Sequence, residues 1–170
     1  LAASLNRRLV SLLAVVLVPL SFQWVLFNQV RPLMGEENIF TTPRIDQYFK
    51  TQPVLKAIYT GATTEIKRQA CSNIGLVFEN ISYEYPYWVL LKAPDLEMQH
   101  VNVTNESAPL STKVPDSEVQ PCLVMQIASR GIDAPLEPEM TVGNQSYQSV
   151  WSQTENTKTA QKSVQLFKPS

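Results

Sequence analysis

The chain has 170 residues, 44% of them hydrophobic, with 14 basic and 15 acidic side chains and a formal net charge of -1. That length is enough for one ordinary domain, and the hydrophobic fraction combines an apolar segment with a more polar remainder. The balanced charge gives no basic face, so nucleic acid is not expected as a partner.

The first predicted element is a membrane-spanning helix. The run LVSLLAVVLVPLSFQWVLF, from Leu9 to Phe27, contains no charged residue, and at about 1.5 Å per residue it reaches roughly the 30 Å of a bilayer core. Trp24 lies near its end, where aromatic belts occur. A cleaved signal peptide is the alternative, but the run exceeds the usual apolar length and no small-x-small cleavage site follows. We predict a retained single-pass anchor over 1–28 and a connector over 29–42.

The charges that flank this run predict its orientation. Arg7 and Arg8 precede it closely, whereas Arg31 is the only nearby base after it. The positive-inside rule then places the N-terminus in the cytoplasm and the main domain in the periplasm or another extracytoplasmic space. There Cys71 and Cys122 could form a disulfide, which would stabilise the fold by about 4 kcal/mol. Two buried free thiols are the alternative.

An α/β domain is predicted over 43–170. Thr42 is the expected N-cap of a short helix with Pro43 at its first position. Apolar residues at three- and four-residue steps then predict an amphipathic helix over 54–70. Within it Gly61 costs about 1 kcal/mol relative to alanine.

The rest of the domain is predicted to form a small, partly parallel sheet. A short helix that begins near Pro86 and ends before Pro94 separates the first two predicted strands, which favours a right-handed β-α-β crossover. The last two strands are expected to form an antiparallel pair that closes the edge of the sheet. The predicted strands cover 74–78, 98–105, 122–129, 147–154 and 163–169.

The stretch YEYPYWVLL, from Tyr83 to Leu91, concentrates aromatic side chains around one carboxylate. Aromatic rings can stack on sugars, but they can equally seal a core or rest at lipid headgroups. In the core interpretation Glu84 caps the helix, and Trp88, Leu90 and Leu91 face inward. The candidate ligand contacts are Tyr83, Glu84, Tyr85 and Trp88.

Reactive groups are sparse. His100 is the only histidine and stands in a predicted strand, so a structural role is expected, and the two cysteines lack the close spacing of a metal site. The chain has five glycines and no GxSxG motif, so we expect neither a phosphate-binding loop nor a nucleophile elbow. We therefore identify no catalytic residue and expect no metal and no cofactor.

Four segments, RPLMGEENIFTTPRIDQYF, CSNIGLVFENISYEYPYWVLL, HVNVTNESA and PCLVMQIAS, carry a family resemblance. In that order they resemble the extracytoplasmic C-terminal tail of bacterial multi-pass glycosyltransferases of the dolichyl-phosphate-mannose mannosyltransferase-like (GT-C) class. The resemblance spans about Leu9 to Ser129. The matching positions are Arg31 to Leu33, Arg44, Gln47 to Phe49, Cys71, Ile74 to Leu76, Glu84 to Pro86 and Trp88.

The resemblance implies an enzyme that uses a polyprenyl-phosphate sugar, with its catalytic acid in an outer loop of a multi-helix core. This sequence has no such loop, so no catalytic residue transfers to it. We expect either the non-catalytic tail of a longer enzyme or a relative that lacks the core, in contact with the bilayer and with a glycan or lipid-linked sugar. The alternative is a single-pass accessory subunit that packs on a larger membrane protein complex and stabilises it.

Overall fold

A computed structural model describes residues 6–78, 83–104, 108, 120–131, 133–157 and 160–170. The chain divides into two compact units, Leu1–Pro53 and Val54–Ser170. The first unit contains the helices α1 (Arg7–Leu26) and α2 (Arg44–Phe49). The second is a mixed α/β unit made of α3 (Val54–Gln69), β1 (Asn73–Phe78), α4 (Tyr85–Leu91), β2 (Glu97–His100), β3 (Leu123–Arg130), β4 (Glu139–Val142), β5 (Gln145–Asn156) and β6 (Gln161–Pro169).

Helix α1 is long and apolar enough, by length and composition, to cross a membrane, and none of its residues is buried. Its first turn is capped by Asn6, whose Oδ1 accepts a hydrogen bond from the Arg8 amide. Helix α2 differs from the prediction in its start. Pro43 is its N-cap residue and no side chain caps it, so the predicted capping by Thr42 is wrong.

The second unit is built on a six-stranded sheet in the order β2-β1-β3-β6-β5-β4. Strand β1 is parallel to both β2 and β3, while the remaining pairs are antiparallel. The predicted helix over 54–70, the parallel pairing around α4 and the antiparallel pairing of the last two strands are thus confirmed.

One face of the sheet packs against α3, which in turn packs against α4. Apolar residues of α3 recur every three or four positions and are buried, which follows the predicted period. The alternate residues of β1, β3 and β6 face them, because successive side chains of a strand point to opposite faces. The buried residues of this core are Leu55, Ile58, Tyr59, Ala62, Ile66, Ile74, Leu76, Tyr87, Leu91, Leu123, Met125, Val164 and Leu166.

The opposite face has its own core, formed by Val101, Val124, Val142, Tyr147 and Phe167. The sheet curls around this cluster. The Asn102 amide, which follows β2, donates a 2.8 Å hydrogen bond to the Thr141 carbonyl of β4, so the two edge strands approach each other.

Two sequence predictions about the edges are wrong. Strand β6 lies between β3 and β5, and the unpredicted strand β4 forms the edge instead. Strand β2 ends at His100, well before the predicted residue 105. Asn102 has a φ of 52°, a left-handed conformation that cannot continue a strand.

Candidate functional site

Two parallel strands and a short helix bring the candidate residues together. Strands β1 and β2 end at Phe78 and His100, and α4 follows Glu84. His100 is paired with Leu76, so both side chains point to the helix-covered face of the sheet. In open α/β sheets, ligand sites occur at the carboxyl ends of parallel strands. This edge is therefore the first candidate for a ligand site.

Glu84 connects two aromatic side chains at this edge. The indole Nε1 of Trp88 donates to Glu84 Oε1 at 2.5 Å, and His100 Nε2 is hydrogen-bonded to Glu84 Oε2 at 2.9 Å. The imidazole also meets the Phe78 ring edge-on, with ring centroids 5.0 Å apart. Both carboxylate oxygens are engaged, so Glu84 holds the indole and the imidazole in place.

The aromatic side chains around Glu84 are exposed. Tyr83 is 52% exposed, Tyr85 59% and Trp88 39%. The prediction that Trp88 faces the core is therefore wrong, and Tyr87 fills the core instead. The cause is helical geometry, because Tyr87 and Leu91 are four residues apart and share the inward face, whereas Trp88 is turned away. We call Phe78, Tyr83, Glu84, Tyr85, Trp88 and His100 the Glu84 cluster.

The capping role expected for Glu84 is also wrong. Glu84 occupies the N-cap position of α4, but its side chain makes no capping hydrogen bond and its backbone is already helical. Helix α4 ends at Leu91, before Pro94 as predicted, and Lys92 follows it in a left-handed conformation with φ 49°.

A buried pair of tyrosines, Tyr59 and Tyr87, packs next to the Glu84 cluster and holds part of its backbone. The rings of Tyr59 and Tyr87 stack at 4.5 Å. The Tyr59 hydroxyl donates to the Tyr83 carbonyl at 3.0 Å and accepts from the Tyr83 amide at 3.3 Å. Burial raises the pKa of Tyr59 to about 12 and also raises the pKa of Tyr87. The backbone of Tyr83 is thus tied to helix α3 by a hydroxyl that stays protonated.

The Glu84 cluster offers one carboxylate and several exposed aromatic rings. Its one carboxylate already accepts two hydrogen bonds, and its exposed groups are aromatic faces. Within the described ranges, no group of three or more His, Cys, Asp or Glu side chains is placed to hold a metal ion. The arrangement suits contact with a partner or ligand that offers a flat, partly apolar face.

The predicted cysteine pair lies away from this surface. Cys71 and Cys122 precede β1 and β3 and are joined by a disulfide with a Cα–Cα distance of 5.8 Å. The bridge links neighbouring parallel strands at their amino ends, whereas the Glu84 cluster lies at the carboxyl ends. The disulfide therefore serves to stabilise the sheet and is not part of the candidate site.

The remaining predicted residues belong to α1. Arg7 and Arg8 begin that helix, and Trp24, in its last turns, is 80% exposed. A cavity of about 580 Å³ lies at the end of the helix, lined by Gln23, Trp24, Phe27, Asn28, Gln29 and Val30. This end therefore presents both apolar and amide groups.

Sequence reasoning did not include His100 and Phe78 in the site. The signal that could have found them is the predicted parallel pairing, because it brings the ends of two strands to one edge.

By fold, the α/β unit belongs to the class of mixed α/β domains with a curled six-stranded sheet. No protein-family model, no curated protein and no solved structure matches the chain.

Proposed function

We propose that the chain is a membrane-anchored, non-catalytic domain of a larger membrane protein assembly. Helix α1 serves as the anchor, and the α/β unit lies outside the cytoplasm. The observation that carries this proposal is the 20-residue apolar helix α1 with no buried residue. An exposed apolar surface of this length is unfavourable in water and is stabilised by a bilayer or a protein partner.

Two further observations support the orientation. Arg7 and Arg8 lie at the amino end of α1, which favours a cytoplasmic N-terminus. The disulfide between Cys71 and Cys122 fits an oxidising compartment, because such bonds are rare where cellular thiols remain reduced.

Features of the anchor favour a protein partner beside the lipid. Pro19 lies inside α1, where it leaves one helical carbonyl without its usual donor. Ser21 donates to the Val18 carbonyl at 2.7 Å, and Ser11 and Gln23 add further polar positions. Polar and kinked positions in membrane helices are commonly covered by neighbouring helices.

The Glu84 cluster is the contact surface that we assign to the α/β unit. Aromatic residues in a fixed orientation contribute a large contact area with little loss of conformational entropy on binding. The Trp88 indole is held by Glu84, and the Tyr83 backbone is held by Tyr59. The partner thus meets an oriented indole beside a fixed stretch of backbone.

A second candidate function is the tail of a polyprenyl-phosphate-sugar-dependent glycosyltransferase. The order of the motifs that resemble this class favours it, and its Glu-Tyr-Pro-x-Trp segment is the one that carries Glu84 and Trp88. In that case the partner is the catalytic core of the same protein. The complete reading frame around the chain distinguishes the two candidates, because the second requires a multi-helix segment before α1.

Co-purification at native expression level tests the first proposal, a membrane-anchored domain of a larger membrane protein assembly. We expect a multi-helix membrane protein to accompany the tagged chain in mild detergent at fixed stoichiometry. Trp88→Ala should weaken this association, whereas Val150→Ala, which trims another exposed apolar side chain (44%) on β5, should leave it intact. Recovery of the chain as a monomer would contradict the proposal.

A further inference from the structure

A second surface of the α/β unit lies between α3 and β5. It is a groove of about 460 Å³, within the size range of small-molecule sites. We call it the α3–β5 groove, and its lining includes Thr60, Gly61, Thr64, Glu65, Trp151 and Gln153. It shares none of these residues with the Glu84 cluster.

Gly61 makes room for the Gln153 side chain against helix α3. A Cβ atom at this position would overlap the Oε1 atom of Gln153 and lie 3.1 Å from Cζ2 of Trp151. Glycine inside a helix costs about 1 kcal/mol relative to alanine. The chain therefore carries this cost at the one place where the Gln153 amide lies over the α3 backbone.

Two polar side chains on the strand wall are available to a ligand. Neither the indole N–H of Trp151 nor the side-chain amide of Gln153 is hydrogen-bonded to any residue in the part of the chain that the structure describes. The indole N–H and the Gln153 NH2 group can donate hydrogen bonds, and the Gln153 side-chain carbonyl can accept them. The indole also offers a flat apolar face.

The helix wall offers acceptors. The Thr60 hydroxyl donates to the Lys56 carbonyl, and the Thr64 hydroxyl donates to the Thr60 carbonyl, each at 2.8 Å. Because each hydroxyl hydrogen is already donated to the helix, the two hydroxyl oxygens can only accept hydrogen bonds from a ligand.

The charged side chain of the groove lining, Glu65, limits the class of ligand further. Glu65 accepts hydrogen bonds from Arg68 at 2.6 and 2.8 Å and from Gln69 at 2.7 Å. These contacts lower the pKa of Glu65 to about 2, so the carboxylate is ionised at neutral pH. Arg68 is held in this ion pair, and Lys168 also attracts the carboxylate. The charge of the groove lining is therefore already balanced, which favours a ligand without charge.

We propose that the α3–β5 groove binds a neutral saccharide unit. The sugar ring stacks on the Trp151 indole, while its hydroxyls donate to Thr60 and Thr64 and exchange hydrogen bonds with Gln153. A pyranose combines the required features, namely several hydroxyl donors, an apolar ring face and no charge. This inference depends on the groove alone and does not require α1 to span a membrane.

The test uses the full chain in detergent, with glucose, mannose, galactose and N-acetylglucosamine as probes. We expect at least one of them to shift the Trp151 indole N–H resonance saturably, with a Kd on the order of 1 mM, as suits an open site with few contacts. Failure of all four sugars to shift this resonance at tenfold higher concentration would overturn the proposal. So would a shift produced only by charged or purely aromatic compounds.

Two variants separate binding from folding. Gly61→Ala displaces the Gln153 amide and should weaken binding at least tenfold. The thermal midpoint should stay close to that of the parent, because the helix gain of about 1 kcal/mol offsets the cost of moving a flexible side chain. Gln153→Leu removes the amide while the sequence of α3 stays unchanged, and it should also weaken binding. The matched control is Gly131→Ala, where an added Cβ meets no atom within 4 Å and binding should be unchanged. Unaltered affinity in both groove variants would contradict the proposal.

Discussion

The carboxylate of Glu84 lies 2.9 Å from the imidazole of His100, a residue sixteen positions later in the chain. The contact joins the start of α4 to the end of β2, and the same carboxylate accepts a hydrogen bond from the Trp88 indole N–H. A helix start, a strand end and an exposed indole thus depend on one side chain. Glu84 is best understood as the residue that sets the orientation of the surface.

Replacing Glu84 by alanine should release Trp88. We expect the Trp88 indole N–H resonance to move toward its solvent-exposed position and to broaden. The free energy of unfolding should fall by only about 0.5–1 kcal/mol, because the hydrogen bonds lie at a partly exposed site. Glu97→Ala removes an exposed carboxylate from the other end of β2 and is the control. An unchanged Trp88 resonance in Glu84→Ala would show that the carboxylate does not orient the indole.

The stacked tyrosines should respond differently to loss of their hydroxyls. Tyr59→Phe leaves the Tyr83 peptide groups without their partner and should lower the free energy of unfolding by about 1–2 kcal/mol. Tyr87→Phe removes a buried hydroxyl that has no hydrogen-bond partner among the residues that the structure describes, so it should be neutral or stabilising. Urea titration measures both, and equal losses would contradict the assignment.

Glu65 should make the stability of the α/β unit sensitive to acid. Hydrogen bonds from Arg68 and Gln69 lower its pKa from 4.5 to about 2. A lowered pKa in the folded state contributes stability that is present above about pH 4.5 and is lost as the pH falls toward 2. Glu65→Gln should remove about 0.5–1 kcal/mol at pH 7 and flatten the loss between pH 4.5 and 2.

The control for this pH dependence is Glu139→Gln, at an exposed position of β4. The difference between the two variants in the stability lost between pH 4.5 and 2 measures the contribution of the contacts to Glu65. If Glu65→Gln and the parent lose stability in parallel through this range, the contacts to Glu65 do not stabilise the fold.

The disulfide should be a major stabilising element. It closes a loop with a sequence separation of 51 residues, and the chain-entropy model assigns about 4 kcal/mol to a loop of this size. Cys71→Ala combined with Cys122→Ala should therefore lower the free energy of unfolding by about that amount. Reductant should destabilise the parent and leave the double variant unaffected. A reductant effect on the double variant would locate the sensitivity elsewhere.

The helices and central strands could be predicted because their patterns are local. Helix α3 follows a clear period, and β1 and β3 are short apolar runs bounded by polar residues. The edge at β4 could not be found in this way. It has four residues, and its approach to β2 depends on the Asn102–Thr141 hydrogen bond between residues 39 positions apart.

The candidate site was predicted only in part. The sequence identified Tyr83, Glu84, Tyr85 and Trp88 as a concentrated group, but it could not distinguish the inward Tyr87 from the outward Trp88. That distinction depends on where α4 meets α3, which the Tyr59 stack determines. The contact to His100 requires the register of β1 and β2, which no local pattern contains.

The most direct test of the proposed function is the accessibility of single introduced cysteines in intact cells. The native cysteines are joined in a disulfide, so Glu37→Cys after α1 and Ser4→Cys before it provide the reactive thiols. With the chain in the carbonate-resistant membrane fraction, a membrane-impermeant maleimide should label Glu37→Cys in intact cells and Ser4→Cys only after permeabilisation. Release of the chain by carbonate, or the reverse labelling pattern, would contradict a membrane-anchored domain held outside the cytoplasm.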